Sequence, residues 1–405
     1  MKNIFFLLRV PATIAILFLT QNNYQAQIDP GGAAIQLNTI TTAVPFLLIN
    51  PDARVSAMGG AGCAIASDAN ALFWNPARLA MNEVDDLGIS FSRFGWLRAL
   101  VDDMSLLYVS RYVKISNKTA LGSSFKHFSL GTIIFTDQVG TTIREFKPKE
   151  FALDFHLAHR LNDNLGFGIS TRYIYSNLTG GVNVMGAESK PGISVAADVS
   201  MFYTKGPFNF GVNISNIGSK MSYTETASRD FIPANLRLGV AFKIPFNENN
   251  LITLTTDFNK LLVPTAPVYA QNSTEIVSGF SNDVGVATGI IQSFYDAPGI
   301  VTFNEDGTFQ VDHGSVFREE MREINLGGGI EYVLFNSYAI RAGYFYEHFS
   351  KGNRKYITVG AGFRYKWGEV DAFRLISTTQ HNPLANTTGV TVKVNLNWRK
   401  NQKAN

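Results

Sequence analysis

From about residue 87 onward, large apolar residues recur at every second position of the chain. Over residues 151–158, phenylalanine and leucine alternate with alanine, aspartate and histidine. After a turn formed by Asn162, Asp163 and Asn164, the alternation resumes over 165–175. A strand with this period has one apolar and one polar face, and two such strands around an Asn/Asp turn predict a β-hairpin.

Twelve further segments show the same alternation, some of them weakly. They are 87–94, 105–113, 119–135, 193–203, 208–214, 236–244, 251–258, 324–332, 340–346, 357–367, 370–378 and 390–398. The pattern therefore predicts an all-β fold of about fourteen antiparallel strands. This number lies within the range of bacterial outer-membrane β-barrels, about 8 to 26 strands.

The connections between these segments alternate between short and long. The short ones are 114–118, 162–164, 204–207, 245–250, 335–337 and 368–369, and the longer ones are 95–104, 136–150, 177–192, 216–235, 259–322, 347–355 and 379–389. Short turns on one rim and long loops on the other are typical of an outer-membrane barrel, whose two termini lie on the short-turn, periplasmic side. A soluble β-sandwich would also fit the alternation of apolar and polar residues, but it does not explain why short and long connections alternate along the chain.

The polar face of the predicted strands carries charge. In 359–366, Gly360, Gly362, Arg364 and Lys366 alternate with apolar residues. Charges are costly in hydrocarbon, so this face is predicted to line a wet or plugged lumen of a transmembrane barrel. Aromatic residues near strand ends are predicted to form interfacial girdles: Tyr173, Tyr175, Tyr365, Trp367 and Trp398.

The chain begins with an apolar stretch that follows Lys2, and small and polar residues come after it. This predicts a secretory signal peptide over 1–26. A retained membrane anchor is the alternative. It is disfavoured because the stretch is short for a span and is interrupted by Arg9 and Pro11.

Residues 27–86 precede the first predicted strand, are rich in Ala and Gly, and show no strand alternation. They predict a compact plug inside a barrel that is too wide for its own side chains to fill. The residues expected to hold this plug are Asp68, Trp74, Asn75 and Pro76. The barrel is then expected over 87–398, followed by a polar tail at 399–405.

Composition excludes several classes of protein. Charged residues make up 17% of the chain, against about a quarter in an average globular domain. No apolar run after the signal peptide is long enough for a transmembrane helix. A net charge of +3 without a Lys/Arg tract gives no case for nucleic-acid binding. The single cysteine, Cys63, forms no internal disulfide and is expected to be a small buried residue.

Candidate catalytic residues are few. The chain contains no Gly-x-Ser-x-Gly, no His-Glu-x-x-His and no phosphate-binding glycine loop, and its six histidines have no metal-ligand spacing. Asp154 and His156 lie two apart on one strand, where a hydrated lumenal pair is the favoured interpretation. The glycines at 327–329 lie in a strand pattern and predict a kink or a close approach to the plug. We expect no enzyme, cofactor or metal site.

Three motifs carry a family resemblance: Val-Pro-Phe-Leu-Leu-Ile-Asn-Pro-Asp-Ala-Arg at 44–54, Ala-Met-Gly at 57–59 and Trp-Asn-Pro-Ala at 74–77. Together they resemble the PorV family of outer-membrane barrels in the type IX secretion system, within the FadL-like superfamily. The similarity in length and strand number extends over nearly the whole mature chain.

The resemblance implies a shuttle in the outer membrane of a Gram-negative bacterium. Such a shuttle binds the C-terminal signal domain of cargo proteins leaving the translocon barrel and passes them to the cell-surface sortase attachment complex. Its implied partners are these proteins and outer-membrane lipid, without nucleic acid. A FadL-like channel for hydrophobic compounds is the alternative.

The longest predicted loop, 259–322, contains more apolar and aromatic residues than a solvated linker. Exposed apolar patches mark protein contacts. The residues expected to bind a partner are Leu261, Leu262, Phe294, Tyr295 and Phe303. The alternative is that they pack on neighbouring loops and form a lid.

Overall fold

Fourteen strands form a closed antiparallel barrel, which confirms the fold predicted from the sequence. The structure, a computed structural model, describes residues 37–65, 68–81, 87–97, 101–136, 141–181, 183–184, 187–224, 229–270, 273–304, 308–378 and 382–396. The barrel strands are β1 Leu87–Gly95, β2 Ser105–Lys114, β3 Thr119–Ser129, β4 Lys149–Arg160, β5 Leu165–Asn177, β6 Gly192–Lys205, β7 Phe208–Gly218, β8 Asn235–Asn247, β9 Asn250–Leu261, β10 Ile324–Leu334, β11 Tyr338–Tyr346, β12 Lys355–Tyr365, β13 Gly368–Ser377 and β14 Thr388–Leu396.

Each strand pairs with its neighbours along the chain, and β1 closes the barrel by pairing with β14. The closing register runs from Leu87 opposite Leu396 to Gly95 opposite Thr388. Closure leaves no sheet edge, so the strands satisfy one another's backbone groups, as hydrocarbon requires. No helix among the described residues is long and apolar enough to cross a membrane.

The two faces of the strands differ as the alternation predicts. Phe155, Ile169 and Val195 are more than half exposed on the outer face, whereas Asp154 and Asp198 are buried on the lumenal face. An apolar exterior around a polar interior is the arrangement of a barrel that lies in lipid.

The short connections all lie on the rim where β1 begins and β14 ends. Two details differ from the sequence prediction. The turn between β12 and β13 is 366–367, so Lys366 and Trp367 lie in the turn rather than in a strand. Strand β3 ends at Ser129, and the predicted extension to residue 135 instead belongs to a separate hairpin, Ile133–Thr136 with Thr142–Phe146. The predicted signal peptide, Trp398 and the polar tail lie outside the described residues.

The longest connection, called the long loop here, comprises residues 262–323. Leu261 therefore belongs to β9, because its backbone still pairs with Asn235. The loop has more regular structure than its sequence predicts. It contains two small hairpins, Val268–Tyr269 with Ile276–Ser278 and Ile300–Phe303 with Phe309–Asp312, and two helices, α4 Val286–Gln292 and α5 His313–Arg322.

The N-terminal segment, residues 37–81, lies in the lumen. It forms a 3₁₀ turn at Pro45–Leu48 and three one-turn helices, which are α1 Ala53–Ser56, α2 Ala71–Trp74 and α3 Ala77–Ala80. The first of these helices contacts β12, β13 and β14, and the third contacts β3, β4, β5 and β6. These strands belong to different parts of the wall, so the segment crosses the barrel interior.

Glycines on the lumenal face of the wall let this segment approach closely. A Cβ atom built on Gly343 would lie 2.2 Å from the backbone N of Gly59, and one on Gly329 would lie 2.4 Å from Cβ of Met58. Gly59 itself has φ of +66°, a conformation that side chains rarely adopt. The glycine run at 327–329 is therefore explained by a close approach to the N-terminal segment, one of the two accounts that its sequence predicted.

We expect Gly343→Val to destabilise the barrel by about 1–3 kcal/mol, because the new side chain overlaps the backbone of the N-terminal segment. The measurement is the temperature at which the folded, faster-migrating form disappears on unheated gels in detergent. Gly328→Val is the matched control, since the nearest atoms to a Cβ there are 3.8 Å away. Equal transition temperatures for the two variants would contradict the close approach.

Candidate functional site

A buried charge cluster fastens the N-terminal segment to the wall. The ammonium of Lys393 on β14 lies 2.9 Å from Asp68 in the segment, 3.0 Å from Glu369 and 2.7 Å from Asp371 on β13. Lys393 is 1% exposed. Removing one partner from a buried ion pair costs about 3–5 kcal/mol, so these contacts hold the segment firmly.

A second set of ion pairs extends this cluster across the wall. Arg54 in the first helix lies 2.7 Å from Glu331 on β10. Arg341 on β11 lies 2.6 Å from both Glu331 and Asp371. Four strands on one side of the barrel, β10, β11, β13 and β14, thus contribute to one charge network. The sequence marked Asp68 for this role but gave no indication of which wall residues would meet it.

Trp74 links two parts of the segment to each other. Its indole is fully buried, and Nε1 donates a hydrogen bond to Oδ2 of Asp52 at 2.6 Å. The other oxygen of Asp52 accepts from the backbone N of Val55 and caps the first helix. Burial, aided by the nearby carboxylate of Asp68, raises the pKa of Asp52 to about 6, although the bonds from Val55 and Trp74 oppose the rise.

Asn75 and Pro76 join the segment to the opposite wall. The amide of Asn75 donates to the backbone oxygens of Cys63 at 3.2 Å and of Met201 at 2.9 Å. Pro76 is the residue before the third helix, whose first amide, on Ala77, donates to Ser200 at 3.1 Å. The structure therefore places all four predicted residues, Asp68, Trp74, Asn75 and Pro76, at contacts within the lumen.

One anchor was missed at the sequence level. Asp257 on β9 accepts hydrogen bonds from the backbone amides of Gly62 and Cys63, both at 2.9 Å. An acidic residue at an inward strand position is the only signal that points to it, and many inward positions share that signal. Cys63 is 1% exposed, and burial raises the pKa of its thiol.

Asp154 and His156 face the lumen as predicted, and each makes its short hydrogen bonds to neighbouring side chains rather than to the other. Asp154 lies 2.7 Å from Arg172 and accepts from Ser124 at 2.9 Å, whereas His156 shares a hydrogen bond with Ser170 at 2.7 Å. The Ser124 hydroxyl that donates to Asp154 also lies 3.4 Å from Nε2 of His156, so a serine stands between the carboxylate and the imidazole. In a Ser-His-Asp triad the carboxylate contacts the imidazole directly. Within the part of the chain that the structure describes, no group of His, Cys, Asp and Glu residues could hold a metal ion.

The long loop exposes aromatic side chains. Phe294 and Tyr295 are 50% and 52% exposed, and Tyr295 makes an edge contact with Phe280, which is 50% exposed as well. On α5, Phe317 and Met321 lie four residues apart and are also exposed. Large exposed apolar side chains in a structured loop are typical of a protein-contact surface.

The other residues predicted for this surface lie elsewhere. Leu262 is 2% exposed, so it supports the base of the loop and offers no surface to a partner. Leu261 faces a cavity at the mouth of the barrel, and Phe303 is half-buried in its hairpin. Phe294 and Tyr295 therefore remain as the exposed pair of the predicted set.

A sequence-family model for the type IX secretion system protein PorV matches residues 33–268, more than half of the chain. The chain belongs to the PorV family. It is accordingly an outer-membrane component of the type IX secretion system, as the motifs at 44–54, 57–59 and 74–77 implied. A search of curated proteins finds no match.

Several solved barrels resemble this PorV-family structure. The Pseudomonas putida toluene transporter TodX is 12% identical, with a TM-score of 0.48, 85% of this chain and 98% of that chain covered. The Ralstonia pickettii toluene transporter TbuX is 11% identical, with a TM-score of 0.48 and the same coverage. A Pseudomonas aeruginosa FadL homologue is 10% identical, with a TM-score of 0.44, 89% of this chain and 100% of that chain covered. Nothing about the function of this chain follows from these similarities.

Buried charges hold the long loop against the barrel rim of this PorV-family member. Lys260 on β9 lies 2.6 Å from Glu323 and 3.1 Å from Glu320. Lys351, from the 347–354 loop, lies 3.0 Å from Glu323 and 2.6 Å from Glu319. The Lys260 ammonium also lies 5.9 Å from the ring centroid of Phe294, so the cluster adjoins the exposed aromatic pair.

Asp296 lies beside this cluster and is fully buried. Its Oδ2 accepts from the backbone N of Thr265 at 3.0 Å, and its Oδ1 has no hydrogen-bond partner among the described residues. Burial, with added repulsion from Glu323 and Glu320, raises the pKa of Asp296 to about 7. The hydrogen bond from Thr265 lowers the pKa and only partly offsets this rise. The carboxyl group therefore binds its proton more tightly in the packed loop than in an unfolded one.

This shift predicts that the loop packs less tightly as the pH rises. The packed loop holds the Asp296 proton up to about pH 7, whereas an unfolded loop releases it near pH 4, so stability is lost across that interval and stays low above it. We expect limited proteolysis of the long loop to be several-fold faster at pH 8 than at pH 5, after correction for protease activity. Asp296→Asn should remove most of this difference, and an unchanged pH dependence in that variant would show that another group titrates.

Proposed function

We propose that this PorV-family barrel is a shuttle for secreted proteins. It receives the C-terminal signal domain of a cargo protein leaving the translocon barrel and passes the cargo to the sortase attachment complex at the cell surface. The observation that carries the proposal is the exposed aromatic pair Phe294 and Tyr295 on the longest loop of a barrel whose family serves type IX secretion.

The long loop suits a docking surface because it is both structured and exposed. The buried contacts of Lys260 and Lys351 hold α5 and the residue after it, which reduces the entropy lost on binding. The exposed aromatic side chains then supply apolar area, and such residues are enriched among the hot spots of protein interfaces.

A filled lumen favours binding over conduction. The N-terminal segment contacts strands on several sides of the barrel and is fixed by the ion pairs of Asp68 and Arg54. We propose that it is a plug. A channel for hydrophobic compounds, the alternative function, would need a path through or around this segment.

The orientation of the barrel is part of the same proposal. A signal peptide over 1–26 would deliver the chain to the periplasm, and both barrel termini would remain there. The long-loop rim, with Phe294 and Tyr295, would then face the cell exterior, where cargo emerges.

Deletion of residues 52–80 tests the plug. We expect the deletion variant to conduct ions in planar bilayers at a level well above the intact protein, because the lumen loses the segment that fills it. Heat-modifiable migration should first show that the variant still forms a barrel. Conductance as low as that of the intact protein in a correctly folded variant would mean that the segment does not seal the lumen.

Replacement of Phe294 and Tyr295 with Ser tests the docking surface. A desolvated aromatic anchor contributes about 2 kcal/mol or more, so the double variant should bind a purified cargo C-terminal domain at least about tenfold more weakly in a pull-down or titration. Barrel assembly and heat-modifiability should be retained.

The matched control replaces Phe335 and Tyr338 with Ser. These residues are 67% and 55% exposed on the opposite, short-turn rim. The control should bind cargo as the unmodified protein does. Equal cargo binding by both double variants would show that Phe294 and Tyr295 are not part of the cargo site. Loss of the barrel in the Phe294 and Tyr295 variant would instead indicate that these residues belong to a structural lid.

A further inference from the structure

A cavity of about 450 Å³ opens at the long-loop rim of the barrel. Its floor is the N-terminal segment, including Ser56 and Gly60, and its walls are the upper ends of the strands. On its lip, Thr41 and Arg354 are exposed, so the cavity is open to solvent on that side. The volume lies within the range of ligand sites, about 300–1,000 Å³.

The charges that line this cavity leave one cation without a carboxylate partner. Glu347 pairs with Arg354 at 2.6 Å, and Glu323 pairs with Lys351 at 3.0 Å. The remaining charged residue of the lining is Arg237, which is 7% exposed and has no carboxylate at ion-pair distance among the described residues. Asp257, which lies outside the lining, attracts Arg237 electrostatically without forming an ion pair with it. The guanidinium can therefore still pair directly with an anion in the cavity.

Arg237 is held in place rather than free to move. Its Nε donates to Oδ1 of Asn259 at 2.8 Å, and its guanidinium stacks on the buried Trp74 ring at 4.6 Å from the centroid. A cation fixed in this way presents its remaining N–H donors to a ligand at little entropic cost.

A row of amides continues from Arg237 across the wall. Arg237 lies opposite Asn259, and Asn259 lies opposite Asn325, on three adjacent strands. Oδ1 of Asn325 and Oγ of Ser56 are buried and have no hydrogen-bond partner among the residues described here. The Asn325 oxygen can accept a hydrogen bond from an N–H or O–H donor, and side-chain amides match the alternating donors and acceptors of a peptide backbone.

The remaining part of the lining is apolar. Trp96 and Leu384, from two loops of the same rim, meet Phe373 and Leu375 of β13 in one hydrophobic cluster beside the cavity. This wall suits an apolar side chain, whereas the opposite wall offers a cation and amides.

We propose that this cavity receives the free carboxyl-terminal end of the cargo polypeptide. The carboxylate pairs with Arg237, the last backbone amides bond to Asn325 and its neighbours, and an apolar side chain packs against Trp96 and Leu375. The inference rests on the proposed shuttle function and specifies which part of the cargo the barrel recognises. A fatty acid would supply the carboxylate and the apolar group, but in its ionised form it carries no hydrogen-bond donor for the Asn325 oxygen.

The test uses the full-length protein in detergent and a cargo C-terminal domain. Fluorescence anisotropy follows a labelled peptide of the last six residues of that domain, made as the free acid and as the C-terminal amide. The free acid should bind at least tenfold more tightly than the amide, and Arg237→Gln should remove this difference while Arg237→Lys retains part of it. Arg374→Gln, which changes an exposed arginine outside the cavity, is the matched control and should have no effect.

Asn325→Ala provides a second variant that leaves the fold intact, because the Asn325 oxygen has no partner in the described structure to lose. This variant should bind the free-acid peptide several-fold more weakly than the unmodified protein does. Equal affinity of the acid and amide peptides for the unmodified protein would overturn the inference. Laurate is the competitor. If laurate displaces the peptide and has the higher affinity, the inference is also overturned, and the cavity is a site for an amphiphile.

The intact cargo domain separates this inference from the shuttle function. If the domain binds equally well with its natural end and with a five-residue extension, the cavity is not its receptor, although the shuttle function stands. If the domain does not bind the unmodified protein at all, the shuttle function fails and the inference fails with it. Binding that is lost on extension and in Arg237→Gln supports both.

Discussion

The space inside the barrel is the constraint on which the rest of the structure depends. A wall of fourteen strands encloses more volume than its inward side chains fill, so another part of the chain must occupy the lumen. The N-terminal segment occupies it, and its backbone lies directly against the backbone of the wall strands. Glycines on separate strands make room for it, and a Cβ on Gly211 or Gly239 would lie within 2.6 Å of Cys63.

Close approach alone does not fix the position of the segment in the lumen. Ion pairs between the segment and the wall fix it. Lys393, Asp68 and Arg54 belong to a network in which buried ions have partners from both the segment and the wall. Such a network tolerates few alternative positions, because any shift leaves a buried charge unpaired. The same contacts that stabilise the barrel therefore hold the segment in its interior.

The long-loop rim combines two features that suit the proposed shuttle. The buried Lys260 and Lys351 clusters hold the long loop in place, and the loop presents Phe294 and Tyr295 to solvent. Beside it lies a cavity with a fixed cation, Arg237, above the floor formed by the N-terminal segment. The segment thus has a structural role in the lumen and shapes the functional surface at the mouth.

The sequence by itself determined the strand number, the sorting of the loops, the lumenal segment and the family, because alternation, turn residues and motifs are local properties of the chain. The structure alone decided that Lys393 meets Asp68 from a distance of more than 300 residues, that Leu262 is buried while Phe294 is exposed, and that Arg237 is the unpaired cation of a cavity. Inward residues of adjacent strands look alike in sequence. Only the register of the closed barrel and the path of the segment through it determine which of them meet, since these contacts depend on three-dimensional distance and not on the local pattern.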